Sequence, residues 1–159
     1  MHFFRNSAGN NLDGDLVLNA GGNGVETTLC AGGSATAVID GDVSLNHSSA
    51  AANSVMNIAN SGSITVFGDF TATNASTSNV GQVYVANNTG SSATFNGSAT
   101  FTNNGAATTT QRFFVGGSGN IDFNGEAFFI NNCGATNSNI FVAQNAASQV
   151  NFAENVTVA

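Results

Sequence analysis

The sequence predicts an all-β chain coiled as a right-handed parallel β-helix of about six turns. Three observations carry this: a repeat of 27–29 residues along nearly the whole chain, apolar residues at every second position within each copy, and no proline in 159 residues. Each turn would stack on the next at about 4.8 Å, making a rod roughly 29 Å long with like side chains piled in columns. An antiparallel sandwich also uses short strands and turns, but it has no reason to keep six copies in register.

The repeat shows first where ATFNGSATFTNNG, residues 93–105, returns as IDFNGEAFFINNCG from Ile121. With Gly97 and Gly125 as markers, Gly14, Gly41 and Gly68 fall into line and Glu154 takes the last place, at spacings of 27, 27, 29, 28 and 29 residues. Other columns then become uniform. Two residues before the marker stand Leu12, Ile39, Val66, Phe95, Phe123 and Phe152. Two after stand Leu16, Val43, Phe70, Ala99, Ala127 and Val156, and four after stand Leu18, Leu45, Ala72, Phe101, Phe129 and Val158. Four before, the later copies give Ala37, Ile64, Ala93, Ile121 and Val150. Each copy thus holds two strands with one buried face, flanking a small-residue corner.

A third strand is predicted at Val55–Ile58, Val83–Val85, Phe113–Val115 and Ile140–Val142, each leading into a short AN, GG or AQ stretch. Runs such as NHSSAAANS and NNGAATTTQ read as loops that absorb the variation in period. Glycine and asparagine at corners fit a left-handed backbone. Asn19, Asn46, Asn74, Asn103 and Asn131 are candidates for an amide column along the rod, or are simply turn formers.

Hydrophobic residues make up 42% of the chain but charged ones only 7%, so Asn, Ser, Thr and Gly must supply solubility. Nine acids against Arg5 and Arg112 leave a net charge of −7, which disfavours nucleic acid and acidic membrane surfaces. No apolar run approaches the roughly 20 residues of a membrane-spanning helix. The start, MHFFRNSAGNN, lacks the pattern of a secretory signal, so the expectation is a mature or excised segment or a chain exported by another route.

DGD at 13–15, DGD at 40–42 and GD at 68–69 stack acids, with Asp15, Asp42 and Asp69 about 5 Å apart in one column and Asp13 and Asp40 beside them. Like charges at that distance repel, so either calcium bridges them or water at the corners screens them. Paired carboxylates can also run acid and base chemistry on polysaccharides. Lyases of this fold use a cationic side chain near the acids and long cleft-forming loops, whereas Arg5 and Arg112 fall far from the Asp column and the loops are short small-residue runs, so no catalytic residue is assigned. His2 and His47 have no metal spacing and read as polar surface residues. Cys30 and Cys133 fall several turns apart and read as small hydrophobes. Five N-x-S/T sequons, at Asn46, Asn74, Asn87, Asn96 and Asn155, match chance for 25 Asn. Thr65, Thr71, Thr94 and Thr100 would form a small outward patch, faintly similar to the threonine arrays of ice-binding solenoids, though β propensity alone accounts for it.

FTNN at 101–104, FINN at 129–132 and FAEN at 152–155 resemble the FxxN motif of the chlamydial polymorphic membrane protein group, and the copies resemble the β-helical passenger regions of bacterial autotransporters and related adhesins. The companion GGA[ILV] motif is missing. The resemblance implies an extracellular or cell-surface structural or adhesive role, with a surface glycan or host receptor as the kind of target. The ends, with Phe3 and Phe4 at one and Val156 and Val158 at the other, show no polar cap, so a single solenoid domain over residues 1–159 is expected to be a piece of a longer rod or to stack head to tail on other copies. The expected function is a non-enzymatic filament or stalk, with a carbohydrate-binding or carbohydrate-cleaving β-helix as the rival.

Overall fold

The computed structural model describes residues 1–23, 26–77, 80–105, 110–134 and 137–159. Residues 106–109 of the NNGAATTTQ run lie outside the described residues. The chain is a β-solenoid, with eighteen strands in six rungs among the described residues. The first rung is β1 (His2–Arg5), β2 (Asn10–Leu12) and β3 (Leu16–Ala20); the second is β4 (Glu26–Ala31), β5 (Thr36–Ile39) and β6 (Val43–His47). The third holds β7 (Ser54–Asn60), β8 (Ser63–Val66) and β9 (Phe70–Asn74), and the fourth β10 (Val80–Val85), β11 (Ser92–Phe95) and β12 (Ala99–Asn103). The fifth comprises β13 (Thr110–Val115), β14 (Asn120–Phe123) and β15 (Ala127–Asn131), and the sixth β16 (Asn139–Val142), β17 (Gln149–Phe152) and β18 (Val156–Val158). The first strands of all rungs form sheet A, the second sheet B and the third sheet C, each with six strands. Every pairing between these strands is parallel.

The register agrees with the sequence columns residue for residue on sheets B and C. Phe95 pairs with Val66 below and Phe123 above, and Phe101 with Ala72 and Phe129. The reason is local: the corner between these sheets is always three residues, as in 40–42 or 96–98, so alternation carries from one strand into the next. Sheet A has two strands more than the sequence indicated, β1 and β4. The ETTLCA of β4 buries Thr27 and Thr28 as well as Leu29, which hides the alternation.

Inside, stacked aromatics dominate the upper rungs. Phe70, Phe95, Phe101, Phe113 and Phe123 are fully buried. Phe95 and Phe123 stack at 5.3 Å, Phe101 and Phe129 at 5.4 Å, and Phe101 meets Phe113 edge-on at 6.0 Å. Offset and edge-on pairs of this kind are favourable beyond the area they bury.

Two corner expectations need correction. The marker glycines do not adopt a left-handed backbone. Gly41, Gly68, Gly97 and Gly125 are required because each lies against the rung beneath: a Cβ on Gly97 would come 2.4 Å from the carbonyl oxygen of Gly68. Glycine and asparagine do turn left-handed at other positions, as at Gly9, Gly32, Asn53 and Gly90, and a separate left-handed column lies at the exit of sheet A: Phe4, Cys30, Ala59, Ala86, Gly116 and Ala143, with φ between 49° and 73°. This explains the AN, GG and AQ stretches, since a small side chain limits the steric cost of that conformation. Nor does the period vary only in the loops that follow sheet C. From the left-handed residue to the marker, Ala59 to Gly68 and Gly116 to Gly125 are two residues shorter than Cys30 to Gly41 and Ala86 to Gly97.

The asparagine column has three members rather than the five expected. Asn19 and Asn46 align with Thr73, whereas Asn74, Asn103 and Asn131 align with His47 and Ala20. One residue of offset reverses the face, so Asn19 and Asn46 point outward while Asn74 and Asn103 are fully buried. Asn74 Nδ2 donates to Asn103 Oδ1 at 3.3 Å and Asn103 Nδ2 to Asn131 Oδ1 at 3.1 Å. The same amides donate to the carbonyls of Gly81 and Gln111. The ladder thus ties the end of sheet C to the start of sheet A on the next rung. Truncating Asn103 to Ala is expected to cost about 2 kcal/mol, because buried acceptors lose their donor. Urea denaturation checks this, with N19A, on the solvent side, as the near-neutral control.

Candidate functional site

Three side-chain constellations lie outside the apolar core. The first is the acid column at the corner between sheets B and C. Asp15 Oδ1 accepts the Asp42 N–H at 2.8 Å, Asp42 Oδ1 accepts the Asp69 N–H at 2.8 Å, and Asp69 Oδ1 accepts the Ser98 N–H at 2.9 Å. The sequence placed these acids in one column correctly. Each carboxylate satisfies the backbone of the rung above, and Asp13 Oδ1 accepts from Asn11 Nδ2 at 2.6 Å. Two exposed unit charges one rung apart repel by about 0.9 kcal/mol in water, less with salt. A hydrogen bond to a charged acceptor is worth more than that, so the repulsion from which calcium was inferred has another relief. Among the described residues no three His, Cys, Asp or Glu side chains are grouped to hold a metal.

The second constellation is buried where sheet C leads into sheet A. His47 is 1% exposed, which corrects its reading as a surface residue. Its Nε2 lies 3.1 Å from Ser54 Oγ, Ser54 Oγ lies 3.2 Å from Ser76 Oγ, and Ser76 Oγ donates to the Ser49 carbonyl at 2.8 Å. His47 Nδ1 has no hydrogen-bond partner among the described residues. Burial pushes the imidazole below its ordinary 6.5, partly offset by the contact with Ser54. The fold therefore holds His47 neutral while the unfolded chain takes up a proton more readily. Its contribution is complete above pH 6.5 and is lost as pH falls from there through the lowered folded value. Stability is expected to drop between about pH 7 and pH 5, and His47→Asn, which prolongs the asparagine ladder by one rung, is expected to flatten that slope. Urea midpoints at several pH values test it; an equally steep slope in the variant would show that another group is responsible. The sequence signal was present, since His47 stands six residues after its marker, at the parity of the buried columns.

The third constellation is on the outer face of sheet A and was not anticipated. Tyr84, Phe114 and Phe141 are successive partners in the ladder, stacked at 4.6 Å and 5.1 Å with planes 8° and 11° apart. Phe114, between the other two, is only 6% exposed although it points outward. In the next outward column Arg112 stands between Gln82 and Asn139, and its guanidinium carbon lies over the Phe141 ring, 6.0 Å from the centroid. Burial pushes the Tyr84 phenol above its ordinary 10.0, and the charge of Arg112 pulls it partly back. Each aromatic is the middle residue of a predicted third strand, flanked by inward residues such as Val83 and Val85, so alternation pointed to it.

The remaining candidates are dispersed. Thr65 and Thr94 pair on sheet B whereas Thr71 and Thr100 pair on sheet C, so a corner divides the expected patch. Cys30 and Cys133 are free thiols, and the Cys30 Sγ donates to the Ala35 and Ser63 carbonyls from the interior. At the ends, Phe3 is 39% exposed and Phe4 packs partly on the core, while Phe152, Val156 and Val158 are 38%, 44% and 78% exposed. An open concavity of about 280 Å³ at the last rung is lined by Phe129, Ile140, Val142 and Val158 among others. Among the described residues no helix is long and apolar enough to cross a membrane.

The architecture defines a class, the parallel β-solenoid repeat protein. Comparison with protein families, curated proteins and solved structures finds no match to this chain.

Proposed function

We propose that this chain is a non-enzymatic structural or adhesive solenoid of the extracellular space or cell surface, whose copies stack head to tail into a filament or stalk. One observation carries the reading: the interior columns run apolar and in the same lateral order through all six rungs, so each rung offers the next the same surface. Leu12 and Phe152 occupy one column, Leu16 and Val156 a second, and Leu18 and Val158 a third. Such a surface is continued in register by any further rung, including one from a second copy, which would extend each column and pair strand edges. Association of this head-to-tail kind gives open fibres rather than closed rings.

The carboxylates of the acid column accept backbone N–H groups of the rung above, which supports a structural use of them over a catalytic one. Negative-stain microscopy with analytical ultracentrifugation tests assembly: fibres or concentration-dependent oligomers are expected. A monodisperse monomer at high concentration would end the filament reading, and sugar released from a polysaccharide panel would end the non-enzymatic one.

A further inference from the structure

We propose that the outer face of sheet A over its last three rungs binds carboxylate-bearing sugar residues, with Arg112 taking the carboxylate. The proposal rests on the adhesive reading above and gives it a ligand class, but it needs no filament. The first ground is charge. In a chain of net charge −7, Arg112 is one of two cationic side chains of the Lys and Arg kind, and the other, Arg5, lies four rungs away on β1. No carboxylate pairs with Arg112 among the described residues, and its Nε is shut from water without a hydrogen-bond partner there. With Nε closed off, an anion approaching along the guanidinium plane meets the two Nη groups, an end-on geometry in which arginine grips a carboxylate through two parallel hydrogen bonds.

The second ground is the setting. Arg112 is braced over Phe141, and a guanidinium held by cation–π contact gives up little freedom when it binds. Gln82 and Asn139, its ladder neighbours, add planar amides that can both donate and accept, as sugar hydroxyls require. The Tyr84 hydroxyl adds another polar group, and the edges of the half-buried Tyr84 and Phe141, on either side of the buried Phe114, add apolar surface beside it. Sheet A holds these groups on consecutive parallel strands, so their spacing is set by the rung repeat rather than by mobile loops. A neutral sugar would use the amides and rings but leave Arg112 unpaired, which makes the carboxylate the discriminating group.

Calorimetric titration of the intact chain with oligogalacturonate and sialyllactose, against neutral lactose, tests the proposal and separates the two kinds of acidic sugar. Binding of at least one acidic probe is expected at least tenfold more tightly than lactose, weakening as salt rises. Arg112→Gln is expected to remove that preference, Arg112→Lys to keep part of it, and Glu26→Gln, three rungs below on the same sheet, to leave it unchanged. Circular dichroism of each variant monitors folding; should Arg112→Gln unfold, the salt dependence and Arg112→Lys decide. No acidic probe binding at millimolar concentration, or binding indifferent to Arg112 and to salt, would overturn the proposal. Fibres without acidic-sugar binding would remove this inference and leave the structural reading standing, whereas binding by a monomer would do the reverse.

Discussion

Phe101→Ala is expected to lose about 4 kcal/mol of stability, at the upper part of the range for truncating a buried aromatic. The side chain is 0% exposed and has five aromatic neighbours: Phe70 at 5.5 Å, Phe95 at 5.9 Å, Phe113 at 6.0 Å, Phe123 at 5.9 Å and Phe129 at 5.4 Å. Those rings come from all three sheets, so Phe101 joins the walls of the coil as well as successive rungs. The vacated space cannot close readily, because parallel ladders above and below hold the rungs at fixed spacing. Phe152→Ala, on the 38% exposed last rung, is expected to cost about 1 kcal/mol. Hydrogen exchange localises the effect, which matters because repeat arrays need not unfold in one step. The protected amides of rungs three to five should open first. Equal losses in the two variants would mean that the aromatic interior is not the source of cohesion.

Gly97→Ala is the second large effect, expected at about 3 kcal/mol. The added methyl would meet the Gly68 carbonyl oxygen at 2.4 Å and its carbon at 2.7 Å, and backbone in a stacked corner cannot move aside without breaking the ladder. Gly14→Ala, in the same sequence column, finds nothing within 4 Å and has no left-handed φ. It is expected to be neutral or to gain about 0.5 kcal/mol through a less flexible unfolded chain. Thermal melts of the two variants give the comparison, and a Gly14→Ala variant as damaged as Gly97→Ala would refute the contact explanation. Two glycines that look equivalent in sequence thus differ only in what lies beneath them.

That contrast shows how much could be read before the structure. Alternation is local and the corner between sheets B and C has constant length, so Leu12 through Phe152 and the two columns after the marker could be aligned by counting. The inward positions of His47 and Asn74 had the same parity, yet Asn46 and Asn74 were grouped because they share a residue type. On sheet A the exit corner varies by two residues and β4 buries two threonines, so neither spacing nor hydropathy marks the strand cleanly.

The repeat and the parallel coil are legible in the 27–29-residue spacing of the markers, and the two faces of sheets B and C in alternation within a few residues. Only the tertiary structure decided which corner turns left-handed, why the marker must be glycine, how the Asp carboxylates are satisfied and where Arg112 meets its aromatic stack. Those depend on the residue one rung above or below, about 28 positions away in the chain, and on the backbone path at corners of unequal length.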